Sequence, residues 1–200
     1  MSTDFVFGGE KNNPYSVNDL CSPINEYGRS KLEGEMLSLK YEGNIVLRTS
    51  WLYGSCGNNF MIKILNLHKN LSKDSKCLKV VYDQIGSPTN TIDLPKVCWK
   101  IIDKSNDLDI KNQIFHWSNS GITSRYDFAF MIGKVAKDLG IIKKAAKVFP
   151  VKSSEYATKA QRPLYSVLDC SHTKDILKLE QIHWLDALEK TLINYRNKIK

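Results

Sequence analysis

The sequence predicts an α/β chain, the late part of a parallel sheet joined to a small α/β lobe, and three observations predict it. Short apolar runs of buried-strand type alternate with amphipathic helical stretches. Glycine and proline punctuate the changes between them. The composition is that of an ordinary globular protein, with 42% of the 200 residues hydrophobic and 25% charged, enough to enclose a real core.

Taken in order, Ser2 to Phe7 reads as the end of a strand, turned by Gly8-Gly9, and Lys11 to Ile24 as loop. Glu26 to Tyr41 reads as an amphipathic helix with Leu32, Met36, Leu37 and Leu39 on its core face, stopped by Gly43. Ile45-Val46-Leu47 is a short buried strand ending at Thr49-Ser50-Trp51. A loop with Gly54 and Gly57 leads to a helix from Asn59 to Leu71. Leu78 to Tyr82 is a strand, Asp83 to Thr89 a loop, and Asp93 the cap of a helix running to Lys104. Ile114 to Trp117 is a further strand. Ser124 caps a helix to Leu139, whose core face is Phe128, Ile132, Val135 and Ala136, with Gly140 as its stop. Val148 to Val151 reads as a short strand and Leu185 to Arg196 as a final amphipathic helix. The expected division is 1–82 for the late sheet and 83–200 mainly for the second lobe. The boundary is soft near Asp83 to Asp93, and the chain is free to cross between the two.

Charge and cysteine content narrow the function classes. A net charge of +8 raises nucleic-acid binding, but no stretch interleaves dense basic residues with aromatics, and the lysines read as solvated faces. A positive field remains suited to an anionic small molecule. No run of about 18 apolar residues predicts a membrane span. The five cysteines are widely spaced without a CxxC, which suggests no disulfide framework or zinc site and fits a reducing, cytoplasmic setting. The four histidines, at 68, 116, 172 and 183, are dispersed and read as structural or exposed, so no metal site is expected.

Tyr27 and Lys31 stand four residues apart at the start of a helix, which puts both on one face. A free tyrosine has a pKa near 10, too high for easy proton exchange at neutral pH. A neighbouring ammonium stabilises the phenolate and makes the tyrosine a usable acid. By itself the spacing carries nothing, since roughly one such pair arises by chance in a chain this size. Its weight comes from its surroundings. These are Ser2-Thr3-Asp4-Phe5-Val6-Phe7-Gly8-Gly9 upstream, Tyr27-Gly28-Arg29-Ser30-Lys31 itself, Arg48-Thr49-Ser50-Trp51-Leu52-Tyr53-Gly54, Asp83-Gln84-Ile85-Gly86-Ser87-Pro88-Thr89, and Arg162-Pro163 followed by Ser166-Val167-Leu168-Asp169.

In that order these segments resemble the extended short-chain dehydrogenase/reductases, specifically the dTDP-4-dehydrorhamnose reductases, over nearly the whole chain. The resemblance implies a Rossmann-type sheet with a smaller C-terminal substrate domain. It implies hydride transfer from NADPH or NADH to the C4 keto carbon of a dTDP-6-deoxyhexulose, giving dTDP-L-rhamnose. It also implies roles. Tyr27 donates the proton, and Lys31 tunes Tyr27 and holds the nicotinamide ribose. Thr3 hydrogen-bonds near the reacting oxygen, and Asp4 and Trp51 contact the sugar nucleotide. Gln84 is a further hydrogen-bonding candidate in the pocket loop, and Arg162 a candidate for the pyrophosphate. Each has a plain alternative: a turn or cap for Thr3 and Asp4, core packing for Trp51, a loop residue for Gln84 and a surface arginine for Arg162.

The sequence departs from that family in one respect. It contains no GxGxxG or GxxGxxG, the turn that receives a dinucleotide phosphate. The expectation is therefore a chain that lacks most of the cofactor-binding half. Its strands at Phe5 and Val46 should lose neighbours, and it should bind cofactor and turn over poorly when alone. A fragment, a truncated gene product, a homodimer and a separate polypeptide supplying the first half are all compatible with this. Two other functions compete: a non-catalytic sugar-nucleotide-binding or regulatory subunit on the same fold, and a nucleotide-sugar epimerase or dehydratase. Phe5, where a dehydratase pattern would place a second acid, argues against dehydration.

Overall fold

The computed structural model describes residues 1–72, 77–105, 110, 113–156 and 158–198. Strand β1 (Ser2–Thr3) is followed by a 3-10 turn at Asp4–Val6, then α1 (Glu26–Ser38), β2 (Val46–Thr49), β3 (Leu52–Tyr53), α2 (Phe60–Leu71) and β4 (Leu78–Val81). Next come β5 (Ile85–Gly86), β6 (Thr89–Asn90), α3 (Leu94–Lys104), β7 (Ile114–Trp117), β8 (Thr123–Ser124) and α4 (Arg125–Asp138). The chain finishes with β9 (Val148–Val151), a 3-10 turn at Ser153–Glu155, α5 (Ser171–Leu177) and α6 (Trp184–Lys198).

Three strands form a parallel sheet in the order β1-β2-β7. Its two faces differ in chemistry because side chains alternate along each strand. Leu47 and Phe115 pack with Val97 and Ile101 of α3 and Leu177 of α5. The next residues, Arg48 and His116, belong to a buried polar layer under α1, where Arg48 meets Glu35 and His116. Helices thus cover both faces, as parallel sheets require.

The second packed unit is built on β4, which pairs in parallel with β9. Its core joins Met61, Ile64 and Leu65 of α2, Phe128 and Ile132 of α4, and Leu188 and Leu192 of α6. The two cores interleave along the chain. Helix α2 and strand β4 pack with the later α4 and β9, while β7, α3 and α5 complete the earlier sheet.

Several expectations need correction. The strand ends at Thr3 rather than Phe7, because the Thr3 hydroxyl oxygen accepts from Phe5 N at 3.2 Å and turns the chain into the 3-10 helix. The strand at Val46 keeps neighbours on both sides, since β7 returns to cover it. Helix α1 does not bury the apolar face the pattern suggests: Met36 and Leu37 are exposed, and the helix seats itself through Gly28 and Glu35. It also stops at Ser38 rather than Tyr41. Asp93 does not cap α3 with its side chain; its own N–H, like that of Ile92, donates to Asn90 Oδ1. Ser124 does cap α4, accepting from Asp127 N at 2.9 Å, and Gly140 stops that region at φ +70. No helix among the described residues is long and apolar enough to cross a membrane.

Candidate active site

Helix α1 begins where Asn25 Oδ1 accepts from Gly28 N at 2.8 Å. Gly28 is required there: a Cβ would stand 2.1 Å from the Phe5 carbonyl oxygen, so only glycine lets the helix rest on the turn after β1. That contact brings the first turn of α1 to the C-terminal end of the sheet, where ligands bind in open α/β folds. Tyr27 lies there edge-on to Phe5, ring centroids 6.1 Å apart, and is 56% exposed. One turn on, the Lys31 ammonium donates to the Met1 carbonyl at 2.7 Å.

Thr3, Asp4, Tyr27, Trp51 and Arg125 line one cleft of about 210 Å³. Trp51 and Arg125 also line an adjoining cavity of about 480 Å³, whose wall includes Gln84 and Arg162. Of the residues singled out from sequence, the structure therefore collects Thr3, Asp4, Tyr27 and Trp51 around the first cleft and Trp51, Gln84 and Arg162 around the second, with Trp51 shared. Lys31 stands behind, on the next turn of α1.

Asp4 is buried, and its carboxyl is pushed up to about 6 by desolvation, against the opposing pull of the Ser166 and Thr3 hydroxyls and the Arg125 guanidinium. Thr3 donates to Asp4 Oδ1 at 3.1 Å while capping the turn, so the cap and the site position are one arrangement. Gln84 is engaged already: its amide donates to the Ser153 hydroxyl at 3.0 Å, which ties the loop after β4 to the turn after β9. Trp51 holds a left-handed backbone at φ +46, rare for a bulky residue.

Arg125 escaped the sequence reading. It is the first residue of α4, with its guanidinium carbon 3.6 Å from the centre of the Trp51 ring. Burial lowers it to about 9, partly offset by Asp4, and it stays charged at neutral pH. Its Nε is buried without a hydrogen-bond partner among the described residues. The signal was present: a cation in the first turn of a helix opposes the macrodipole, and such a breach of a local rule marks functional positions.

The parallel sheet with helices on both faces, and a cleft at its C-terminal end, define an α/β protein of Rossmann type. Residues 1–197 match the family model described as the RmlD substrate binding domain. The dTDP-4-dehydrorhamnose reductase of Aggregatibacter actinomycetemcomitans is 36% identical over 191 residues, covering 94% of this chain and 64% of that protein. The crystal structure of a dTDP-4-dehydrorhamnose reductase from Clostridium acetobutylicum superposes with a TM-score of 0.80 at 38% identity, over 98% of this chain and 64% of that one. The Bacillus anthracis enzyme of that name, in complex with NADP, gives 0.81 at 34%, over 96% and 64%. The chain belongs to the RmlD substrate-binding-domain family and spans a little under two thirds of the length of these relatives.

A nicotinamide cofactor fits part of what is here. Tyr27 at the cleft and Lys31 on the turn behind it are the groups that would hold its ribose and reacting end, whereas no glycine-rich turn exists in the sequence for its diphosphate.

Proposed function

We propose that this chain carries the substrate site and the proton donor of an NAD(P)H-dependent reductase acting on dTDP-4-dehydro-6-deoxy-L-mannose, in the biosynthesis of dTDP-L-rhamnose. The observation that carries this reading is the convergence of Thr3, Asp4, Tyr27 and Trp51 on one cleft that opens beside Arg162.

The chemistry follows from placement. A bound NAD(P)H would supply the hydride for the C4 carbonyl carbon. The Tyr27 hydroxyl gives its proton to the carbonyl oxygen as negative charge develops there. The Lys31 ammonium, one helical turn away, would stabilise the phenolate left behind and hold the ribose hydroxyls of a bound cofactor, in exchange for its bond to the Met1 carbonyl. The Thr3 hydroxyl, turning its one proton from Asp4 Oδ1, would add a donor at the same oxygen. The Trp51 indole presents an apolar wall to the sugar and excludes water. In the larger cavity Phe60, Ile64 and Val80 offer an apolar floor, with Lys63, Lys79 and Arg162 at its sides; these suit the base and diphosphate of the nucleotide. With no glycine-rich turn, the chain alone holds the cofactor weakly and turns over little.

The test is a chimera that joins a relative's glycine-rich first half to this chain. Tyr27→Phe in that protein should lower the rate of NADPH-dependent reduction by roughly 10²–10⁴-fold, with dTDP-L-rhamnose affinity nearly unchanged. An unchanged rate overturns the catalytic reading and leaves a non-catalytic sugar-nucleotide binder.

A further inference from the structure

The backbone of Trp51 is held in a sparsely populated conformation at φ +46, and its neighbours over-determine it. Ser50 donates through its hydroxyl to Ser87 O at 2.6 Å. The Trp51 carbonyl accepts from Thr89 N at 3.2 Å, and Leu52 pairs with Thr89 across β3 and β6. The segment carrying Ser87 and Thr89 is anchored in turn, because β5 pairs with β8 and Arg125 N donates to Gln84 O at 3.1 Å. Strain kept by this much surrounding structure belongs at functional positions.

The indole itself meets two further restraints. A Cβ built on Gly86 would lie 2.5, 2.7 and 2.8 Å from three atoms of the Trp51 ring. The ring is rigid, so any side chain at 86 must displace it. The Arg125 guanidinium stacks 3.6 Å from the ring centroid, and its charge is balanced by the buried Asp4 in the same cleft. Trp51 divides the small cleft of Thr3 and Tyr27 from the larger cavity of Gln84 and Arg162, lining both.

The geometry points to Gly86 and Arg125 as positioning residues that clamp the Trp51 indole at the junction between the sugar-end and nucleotide-end compartments, and so set affinity for a nucleotide-linked sugar. Gly86 contributes by leaving room and Arg125 by planar stacking, which lysine cannot reproduce. The ligand in this inference rests on the reductase reading; the clamp itself does not.

The experiment uses the full chain and two readouts. The first is affinity for dTDP-L-rhamnose by calorimetry. The second is the Trp51 contribution to fluorescence, obtained by difference from Trp51→Phe. Gly86→Ala and Arg125→Lys should each weaken binding by about tenfold and alter the Trp51 emission of the free protein, with far-UV circular dichroism retained. In a Trp51→Ala background, Gly86→Ala should have no further effect on affinity, because the ring it displaces is gone. Should Gly86→Ala fail to fold, Arg125→Lys carries both readouts. Folded variants with wild-type Trp51 emission overturn the clamp, and so does a wild-type affinity in both. A wild-type chain that binds no dTDP sugar sinks the reductase reading instead, and the emission comparison still decides the clamp.

Discussion

Arg48 and Glu35 form a buried ion pair, Nη2 to Oε2 at 2.6 Å, with side chains 2% and 3% exposed. Arg48 Nε also donates to both Glu35 oxygens, at 2.9 and 3.1 Å. Arg48 Nη2 reaches the Cys21 sulfur at 3.3 Å, and Nη1 lies 3.4 Å from His116 Nε2. Glu35 is two turns beyond Tyr27 on α1 and one beyond Lys31, so this pair fixes the helix that presents both. Breaking such a pair strands a charge in the interior: Glu35→Ala or Arg48→Ala should destabilise by about 3–5 kcal/mol. A Glu35→Leu/Arg48→Met double variant should lose much less. Urea unfolding midpoints of the three proteins check this.

Two buried groups titrate in opposite senses. His116 is lowered to about 4, by desolvation first and then by Arg48. As pH falls from about 6.5 the unfolded chain takes a proton there that the folded chain refuses, so stability drops on the order of 3 kcal/mol by pH 4. Asp4, raised to about 6 from 3.8, favours the folded state at low pH and loses that contribution as pH rises through 6. The two partly cancel between pH 4 and 6. Asp4→Asn should therefore steepen the loss of stability on acidification from pH 6.5 to 4, as read from unfolding midpoints. A profile unchanged in slope would contradict this assignment.

The same sign argument applies at neutral pH. Holding Asp4 ionised while buried costs folding free energy above pH 6, and the Arg125 counter-charge only partly offsets it. Asp4→Asn should raise stability at pH 7 by about 1 kcal/mol while weakening dTDP-L-rhamnose binding. A thermal melt and a titration on the same sample separate the two effects.

Gly28→Ala places a methyl 2.1 Å from the Phe5 carbonyl oxygen, and backbone cannot step aside cheaply. The expected cost is about 1–3 kcal/mol of stability, with α1 pushed away from the turn and the Tyr27 ring away from Phe5. By contrast Gly34, on the same helix, has open space around it. Gly34→Ala should stabilise slightly, by about 0.5–1 kcal/mol, so the pair of melting temperatures distinguishes contact from propensity.

Arg162 is exposed beside the larger cavity. Arg162→Ala should leave the melting temperature unaltered, weaken dTDP binding several-fold, and flatten its salt dependence.

Much of this was legible from the residues. Helix α4 announced itself because its apolar residues recur at helical spacing between a serine cap and a stopping glycine. Tyr27 stands out from its spacing to Lys31 among ordered motifs, and Thr3 and Trp51 stand out because they sit where strands end. Helix α1 was misread because period analysis assumes that buried means apolar. Its anchor is a carboxylate whose partner, Arg48, comes from another strand, and its Met36 and Leu37 face outward. Strand β7 was found as an element, but its place beside β2 was not, since pairing is a long-range property. Arg125 was passed over because an arginine after a serine cap looks like any solvated helix start; its stacking on Trp51 depends on a turn seventy-four positions earlier.

The order in which the chain visits its two packed units has a mechanical consequence. It leaves the β1-β2-β7 sheet after Thr49, comes back with α3 and β7, departs again through α4 and β9, and returns for α5 before ending in α6. Units sewn together at so many points cannot open like a jaw on a single pin.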